Sequence, residues 1–148
     1  MIVESLIKLF KRDLNILITE IEAYKDEKNL WITTEAVKNS AGNLGLHLVG
    51  NLNAFIGAAL GNTGYVRQRD LEFSLKNVPK AELIKLVEYT IIVVENTLNS
   101  LSENDLKKEY KRRVNEDIMN TEYFLIHLTM HLSYHLGQIN YHRRLLDK

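Results

Sequence analysis

Cysteine is absent from this chain of 148 residues. Its absence excludes disulfide bonds, a cysteine-ligated zinc site and a cysteine nucleophile. An excess of either charge is also lacking, because 19 Lys and Arg side chains balance 19 Asp and Glu side chains. A chain without net charge has no general attraction for a phosphate backbone, so we expect no nucleic-acid partner. The basic run "KKEYKRR" at 107–113 is interpreted as a solvated loop or helix end.

Long apolar runs are lacking as well. Charged residues from Glu4 to Asp13 interrupt the N-terminal segment, which therefore does not have the pattern of a signal peptide. No run approaches the roughly 20 apolar residues needed to span a bilayer. The sequence predicts no membrane partner and a cytoplasmic location.

Proline occurs once, as Pro79, and most of the glycines fall between 42 and 64. Such a sparse distribution of helix-breaking residues is typical of a protein made of long helices. Apolar residues recur at helical spacing over about 2–28, which predicts a first helix there. A second helix is predicted to begin at Ser40, a good N-cap residue, and to end near Gly61.

A third helix is predicted after Pro79, because proline suits a first helical turn. A fourth, with Asn120 or Thr121 as its N-cap, is predicted to run almost to the C-terminus. The connections before and after the third helix, at 62–78 and about 102–119, are long for a compact domain. Within the first of them, "YVRQRDLEF" could pair briefly as a strand.

Together the four helices predict an all-α fold, a four-helix bundle with long connections between helices 2 and 3 and helices 3 and 4. One domain is predicted over residues 1–148. The second helix has three interior glycines: Gly45, Gly50 and Gly57. Each costs roughly 1 kcal/mol relative to alanine. That cost favours close packing against a neighbouring helix over space kept for a larger group.

Four of the five histidines lie on the predicted last helix, between 127 and 142. His131 and His135 are four residues apart, so they project from the same side of a helix and can reach one metal ion. They lie on or beside the apolar stripe, where an imidazole without a partner costs roughly 1–3 kcal/mol. The alternative is that each hydrogen-bonds a neighbour or lies at the rim. His127 extends the row by one turn, so spacing alone also allows a His127/His131 pair, and His142 is expected to be exposed.

A metal site needs at least a third ligand. His47 is the only histidine outside the last helix, and it lies midway along the second helix. Leu44, Leu48 and Asn51 share its side of that helix, so it is predicted to face the interior.

The segment "HLSYHLGQI" resembles the His-x-x-x-His-x-Gly-Gln motif on the last helix of DinB/YfiT-like four-helix proteins. His47 resembles the third ligand of that family, a histidine in the middle of helix 2. Carried over, the resemblance implies the ligands His47, His131 and His135, and the register of Gly137-Gln138 selects the 131/135 pair. One departure is Leu136, where relatives often carry a basic residue.

The resemblance implies a metal-dependent enzyme, a hydrolase or a thiol-dependent transferase, that acts on a small molecule such as a thiol. Zn²⁺ is the expected ion and Ni²⁺ the alternative, since both accept imidazole ligands. The resemblance also implies a homodimer. The alternative function is a non-catalytic, stress-associated helical protein whose metal site is structural or vestigial.

No catalytic residue is assigned from the sequence. Asn51, one turn after His47, is a candidate to line the cavity. Tyr65, Arg67 and Arg69 are candidates to cover its mouth and bind an anionic group, with ordinary exposed arginines as the alternative. A hydrolase also needs a general base, and four carboxylates on predicted helices are candidates, with solvated surface charges as the alternative: Glu20, Glu22, Glu88 and Glu122.

Overall fold

The computed structural model describes residues 2–112 and 117–148, so Arg113, the last residue of the basic run, lies outside the described part. The described part is all-helical, as predicted, and contains no strand beyond isolated bridging residues. Its helices in chain order are α1 (Ile2–Glu22), a 3-10 turn (Glu27–Trp31), α2 (Ala41–Leu52), a π-helical segment (Asn53–Ala58), α3 (Ala59–Gly61), α4 (Arg69–Ser74), α5 (Lys80–Asn99), α6 (Glu103–Lys107) and α7 (Thr121–Leu146).

The longest helices share one apolar core. α1 packs against α5 and α7, and α2 packs against the same two helices and against α4. Phe10 and Leu14 of α1, Leu48 of α2, Val87 of α5 and Phe124 of α7 are almost completely buried. Burial of each such side chain contributes roughly 1.5–3 kcal/mol. The segment "YVRQRDLEF" does not pair as a strand, because its second half forms α4 and packs on α2.

Local capping explains where two of these helices begin. The hydroxyl of Ser40 accepts a hydrogen bond from the backbone N–H of Asn43 at 3.1 Å, and the side chain of Asn120 accepts one from Tyr123 at 2.8 Å. Both predicted N-caps are confirmed. The first helix ends at Glu22, earlier than predicted, because the Asp26 side chain caps the 3-10 turn that follows.

Helix α2 continues through the π-helical segment to Gly61, close to its predicted end. The carbonyl of Phe55 within the π segment accepts a hydrogen bond from the hydroxyl of Tyr110 at 2.6 Å. Ala41–Gly61 is long and apolar enough, by length and composition, to cross a membrane, with a mean hydropathy of 1.3. That corrects the expectation that no run approaches this size. Since 72% of the window is buried inside the protein, it has the character of a core helix, which passes the same test.

The prediction that His142 is exposed was wrong. Its side chain is buried, and its Nε2–H donates to the carbonyl of Ile32 at 2.8 Å. Its Nδ1 therefore accepts from the hydroxyl of Tyr24 at 2.6 Å. The segment between α1 and α2 folds over the end of α7, so His142 ties three parts of the fold together although it lies near the chain end.

Candidate metal centre

Three imidazoles from two helices converge inside the fold, and they belong to the three histidines that the resemblance implied as ligands. Nε2 of His131 lies 3.3 Å from Nε2 of His47 and 3.2 Å from Nε2 of His135. One ligand atom from each ring lies within 4.8 Å of those of the other two. Two nitrogens bound to a tetrahedral zinc at its usual bond length are about 3.3 Å apart. The group of His47, His131 and His135 could therefore hold a metal ion.

The orientation of His47 is fixed by a buried ion pair. Its Nδ1 lies 3.0 Å from Oε1 of Glu72, and Arg67 donates from Nε and Nη2 to the two oxygens of the same carboxylate, each at 2.9 Å. Burial opposes ionisation of Glu72, but the hydrogen bonds from His47 and Arg67 outweigh it and hold its pKa below the usual value. A carboxylate at this place requires the proton of His47 on Nδ1. The lone pair on Nε2 therefore faces the other histidines.

The ring of His135 is also turned with Nε2 toward the centre, and the residue that orients it lies on the same helix. Its Nδ1 donates to Oε1 of Gln138 at 2.7 Å, three residues further along α7. Burial lowers the pKa of His135, and the hydrogen bond to Gln138 offsets only part of that effect. The ring is thus neutral at pH 7 and presents the lone pair of Nε2 to the centre, which is the form that ligates a metal.

Nε2 of His131 faces the Nε2 lone pairs of both His47 and His135. Burial lowers the pKa of His131 to about 4, and the neighbouring imidazoles act in the same direction, so it is neutral at pH 7. Its Nδ1 is buried and has no hydrogen-bond partner in the described chain. A single proton on Nε2 could not serve both facing nitrogens fully, whereas a cation between the three nitrogens satisfies all of them. The arrangement therefore fits a metal ion better than a network of neutral imidazoles.

The three histidines open into a cavity of about 590 Å³. Asn51, the candidate to line it, does so, and Arg67 and Arg69, the candidates to cover its mouth, also lie among its lining residues, together with the apolar rings of Phe55 and Phe73. Its size is typical of a small-molecule site.

Two other residues singled out from the sequence, Tyr65 and His127, are not part of the three-histidine group. Tyr65 lines a separate groove beside α5 rather than the histidine cavity. His127 reaches the cavity edge, but it is exposed, stacks on Phe124 with 6.0 Å between ring centroids, and is not one of the three grouped histidines.

Sequence reasoning missed the acidic residue of the site. It is Glu72 on α4, which is not among the four carboxylates that the sequence offered as candidates. Glu20, one of those four, is paired with Asn140 and Arg143, each at 2.8 Å, and does not line the cavity. The available signal was Gly50, three residues after His47, because a glycine at that place leaves room beside the helix. A Cβ there would collide with the carboxylate of Glu72.

This close approach predicts opposite outcomes at two glycines of α2. We expect Gly50→Ala to displace Glu72, to lower the free energy of unfolding by about 1–3 kcal/mol and to weaken metal binding. Gly45→Ala is the matched control, because its Cβ would meet Leu83 at an ordinary 3.6 Å. It should be neutral or stabilising by up to about 1 kcal/mol. Urea unfolding and zinc titration of both variants test this; equal effects at the two sites would contradict it.

The remaining interior glycine does meet a neighbouring helix. A Cβ at Gly57 would lie 2.9 Å from Cγ1 of Val93 on α5. The predicted close helix packing is therefore confirmed at Gly57, while at Gly50 the space is kept for a polar group.

The fold and the site thus define an all-helical protein with a three-histidine group that could hold a metal ion. The chain belongs to the family described as "Protein of unknown function (DUF1572)", whose model matches residues 2–148. A comparison with curated proteins finds no match. The family description carries no activity.

Proposed function

We propose that this protein is a metal-dependent enzyme of the DinB/YfiT-like superfamily, a hydrolase or a thiol-dependent transferase. In this proposal His47, His131 and His135 hold a divalent ion, Zn²⁺ in the first place and Ni²⁺ as the alternative. The observation that carries it is the convergence of three Nε2 atoms, two of which are turned inward by Glu72 and Gln138. Partners that fix the second ring nitrogen are the usual support of metal-ligating histidines.

The arrangement of the helices supports the superfamily assignment. Four long helical stretches, α1, α2 to α3, α5 and α7, pack on one another in the pairs expected of a four-helix bundle. The two long connections fall where the resemblance implies them. The histidine pair and Gln138 lie on the last helix and the third histidine lies midway along the second.

The cavity supports an enzyme over a structural site. Structural zinc sites are closed by four protein ligands, whereas catalytic sites have three and an open position. Here the chain supplies three histidines beside a cavity of about 590 Å³. A divalent ion held there supplies Lewis acidity and lowers the pKa of a water or thiol that reaches it.

The roles of the chain's own residues follow from their contacts. Glu72 orients His47 and keeps its proton on Nδ1, and Arg67 neutralises that carboxylate. Gln138 does the same for His135 through a neutral amide. The rings of Phe55 and Phe73 narrow the cavity and exclude water from its walls, which strengthens electrostatic interactions inside it.

For partners and location, the sequence-based expectations remain predictions: a small-molecule substrate, no nucleic acid, no membrane, a homodimer and a cytoplasmic location. A homodimer has a surface that suits it, because α7 carries exposed apolar side chains along its outer face. They are Tyr123, Ile126, Met130, Tyr134, Tyr141 and Leu145.

Metal analysis tests the central proposal. Protein purified without a nickel column should contain close to one equivalent of metal per chain, or take up one equivalent of Zn²⁺ in a titration. Chelation should leave the protein folded, with a small change in melting temperature, because the core does not depend on the site. Unfolding on chelation would instead favour the structural alternative. Failure to bind Zn²⁺ at micromolar concentrations would overturn the metal site itself.

A further inference from the structure

A buried amide in the cavity has no partner for its oxygen. Asn51 lies on α2 one turn after His47, lines the same cavity and is only 6% exposed. Its Oδ1 accepts no hydrogen bond from any residue that the structure describes. A buried acceptor left without a donor costs roughly 1–3 kcal/mol, so such a group calls for an explanation. A hydrogen-bond donor on a bound molecule would provide one.

The two arginines of the cavity differ in what they contact. Arg67 is engaged by both oxygens of Glu72. Arg69 has no carboxylate partner in the described ranges; its guanidinium lies 5.4 Å from the centroid of the Phe73 ring. The Phe73 ring in turn lies 5.0 Å from the ring of His47. Stacking uses the face of a guanidinium and leaves the N–H groups at its edge free to bind an anion.

Of the two arginines that line the cavity, only one has a carboxylate to balance its charge in the described part of the chain. The charge of Glu72 is offset by Arg67, to which it is bound twice. Arg69 is therefore the arginine of the cavity that has no matching anion among the residues the structure describes. A carboxylate or a phosphate fits the edge of its guanidinium with two parallel hydrogen bonds.

We propose that the cavity binds a small organic acid that also carries a hydrogen-bond donor, such as a hydroxyl, amino or thiol group. Its acid group pairs with Arg69, and its donor meets Oδ1 of Asn51 in the part of the cavity beside His47. As an assignment of substrate class this rests on the proposed function. As a binding site it is measurable with or without a metal.

Three four-carbon probes separate the two contacts. 4-Hydroxybutyrate carries a carboxylate and a hydroxyl, butyrate only the carboxylate, and 1,4-butanediol only hydroxyls. Calorimetric titration of the full chain, zinc-loaded and chelator-treated, should rank them in that order, with 4-hydroxybutyrate about tenfold tighter than the diol. Equal binding of the acids and the diol would overturn the role of Arg69.

Matched variants locate the contacts. Arg69→Gln should weaken 4-hydroxybutyrate about tenfold. The control Arg144→Gln, which removes an arginine stacked 5.3 Å from the Tyr141 ring outside the cavity, should leave binding unchanged. Asn51→Leu should remove the advantage of 4-hydroxybutyrate over butyrate while keeping the protein folded. An equal loss in the Arg69 and Arg144 variants would mean non-specific attraction of anions and overturn the proposal.

Measuring the metal content of the same samples distinguishes the proposed metal-dependent function from the proposed organic-acid site. One equivalent of zinc without Arg69-dependent binding of 4-hydroxybutyrate would overturn this inference alone. Arg69-dependent binding in a protein that takes up no zinc would overturn the proposed function and support this binding site.

Discussion

His131→Ala is expected to lose metal binding, whereas His127→Ala, one turn earlier on the same helix, is expected to keep it. His131 is the ring whose Nε2 approaches both other ligands, at 3.3 and 3.2 Å. Without it, two imidazoles remain and the affinity for Zn²⁺ should fall by at least about a hundredfold. His127 is a matched control because it has the same side chain on the same helix, yet it is exposed and outside the group.

The same pair of variants separates ligation from folding. The His131 ring is half-buried with an unpartnered Nδ1, so its removal should change the melting temperature of the metal-free protein by only about 2–4 °C. Zinc titration against a competing chelator and thermal unfolding measure the two effects. If His127→Ala lost as much affinity as His131→Ala, the ligand set would have to include the 127/131 pair that spacing alone allowed.

Glu72→Gln is the second substitution with a large expected effect. The carboxylate contacts His47 and Arg67 and is 6% exposed. Glutamine has nearly the same shape but only one acceptor oxygen, so it cannot orient the His47 ring and bind Arg67 at both ends. We expect the affinity for Zn²⁺ to fall about 10–100-fold. The free energy of unfolding should fall by about 3 kcal/mol, because a largely buried guanidinium loses its counter-charge.

Glu20→Gln is the control for that experiment. Glu20 is also buried and ion-paired, with Arg143 at 2.8 Å, but its pair joins α1 to α7 away from the cavity. The variant should lose stability and keep its metal. Loss of metal in both variants would show that the effect of Glu72 acts through general stability, and unchanged zinc affinity in Glu72→Gln would contradict its positioning role.

Features of the fold that depend on neighbours in sequence were predictable. A capping side chain acts on backbone groups two or three residues away, so Ser40 and Asn120 correctly predicted where their helices begin. The spacing of His131 and His135 follows from the geometry of a single helix. The all-helical fold and the shared direction of these two rings were expected for those reasons, whereas their grouping with His47 was implied by the resemblance to DinB/YfiT-like proteins.

Features that depend on distant contacts were not predictable. Glu72 meets His47 across 25 positions of sequence, and only the folded path of the connection brings them together. Likewise His142 is covered by a segment that begins more than a hundred residues earlier, so its nearness to the chain end was misleading. The bundle topology and the homodimer stay predictions.

Because of the π-helical segment Asn53–Ala58, the orientation of the chain that follows depends on how many residues this segment contains. A π turn contains one residue more than the α turn it replaces, so everything after it is rotated relative to a regular helix. Removing one residue there would turn the chain beyond it by about 100° relative to His47. Arg67 and Glu72 would then be carried away from the histidines, and Tyr110 would lose the carbonyl of Phe55. Functional relatives of this chain are therefore expected to tolerate substitutions in this stretch far better than a change in its length.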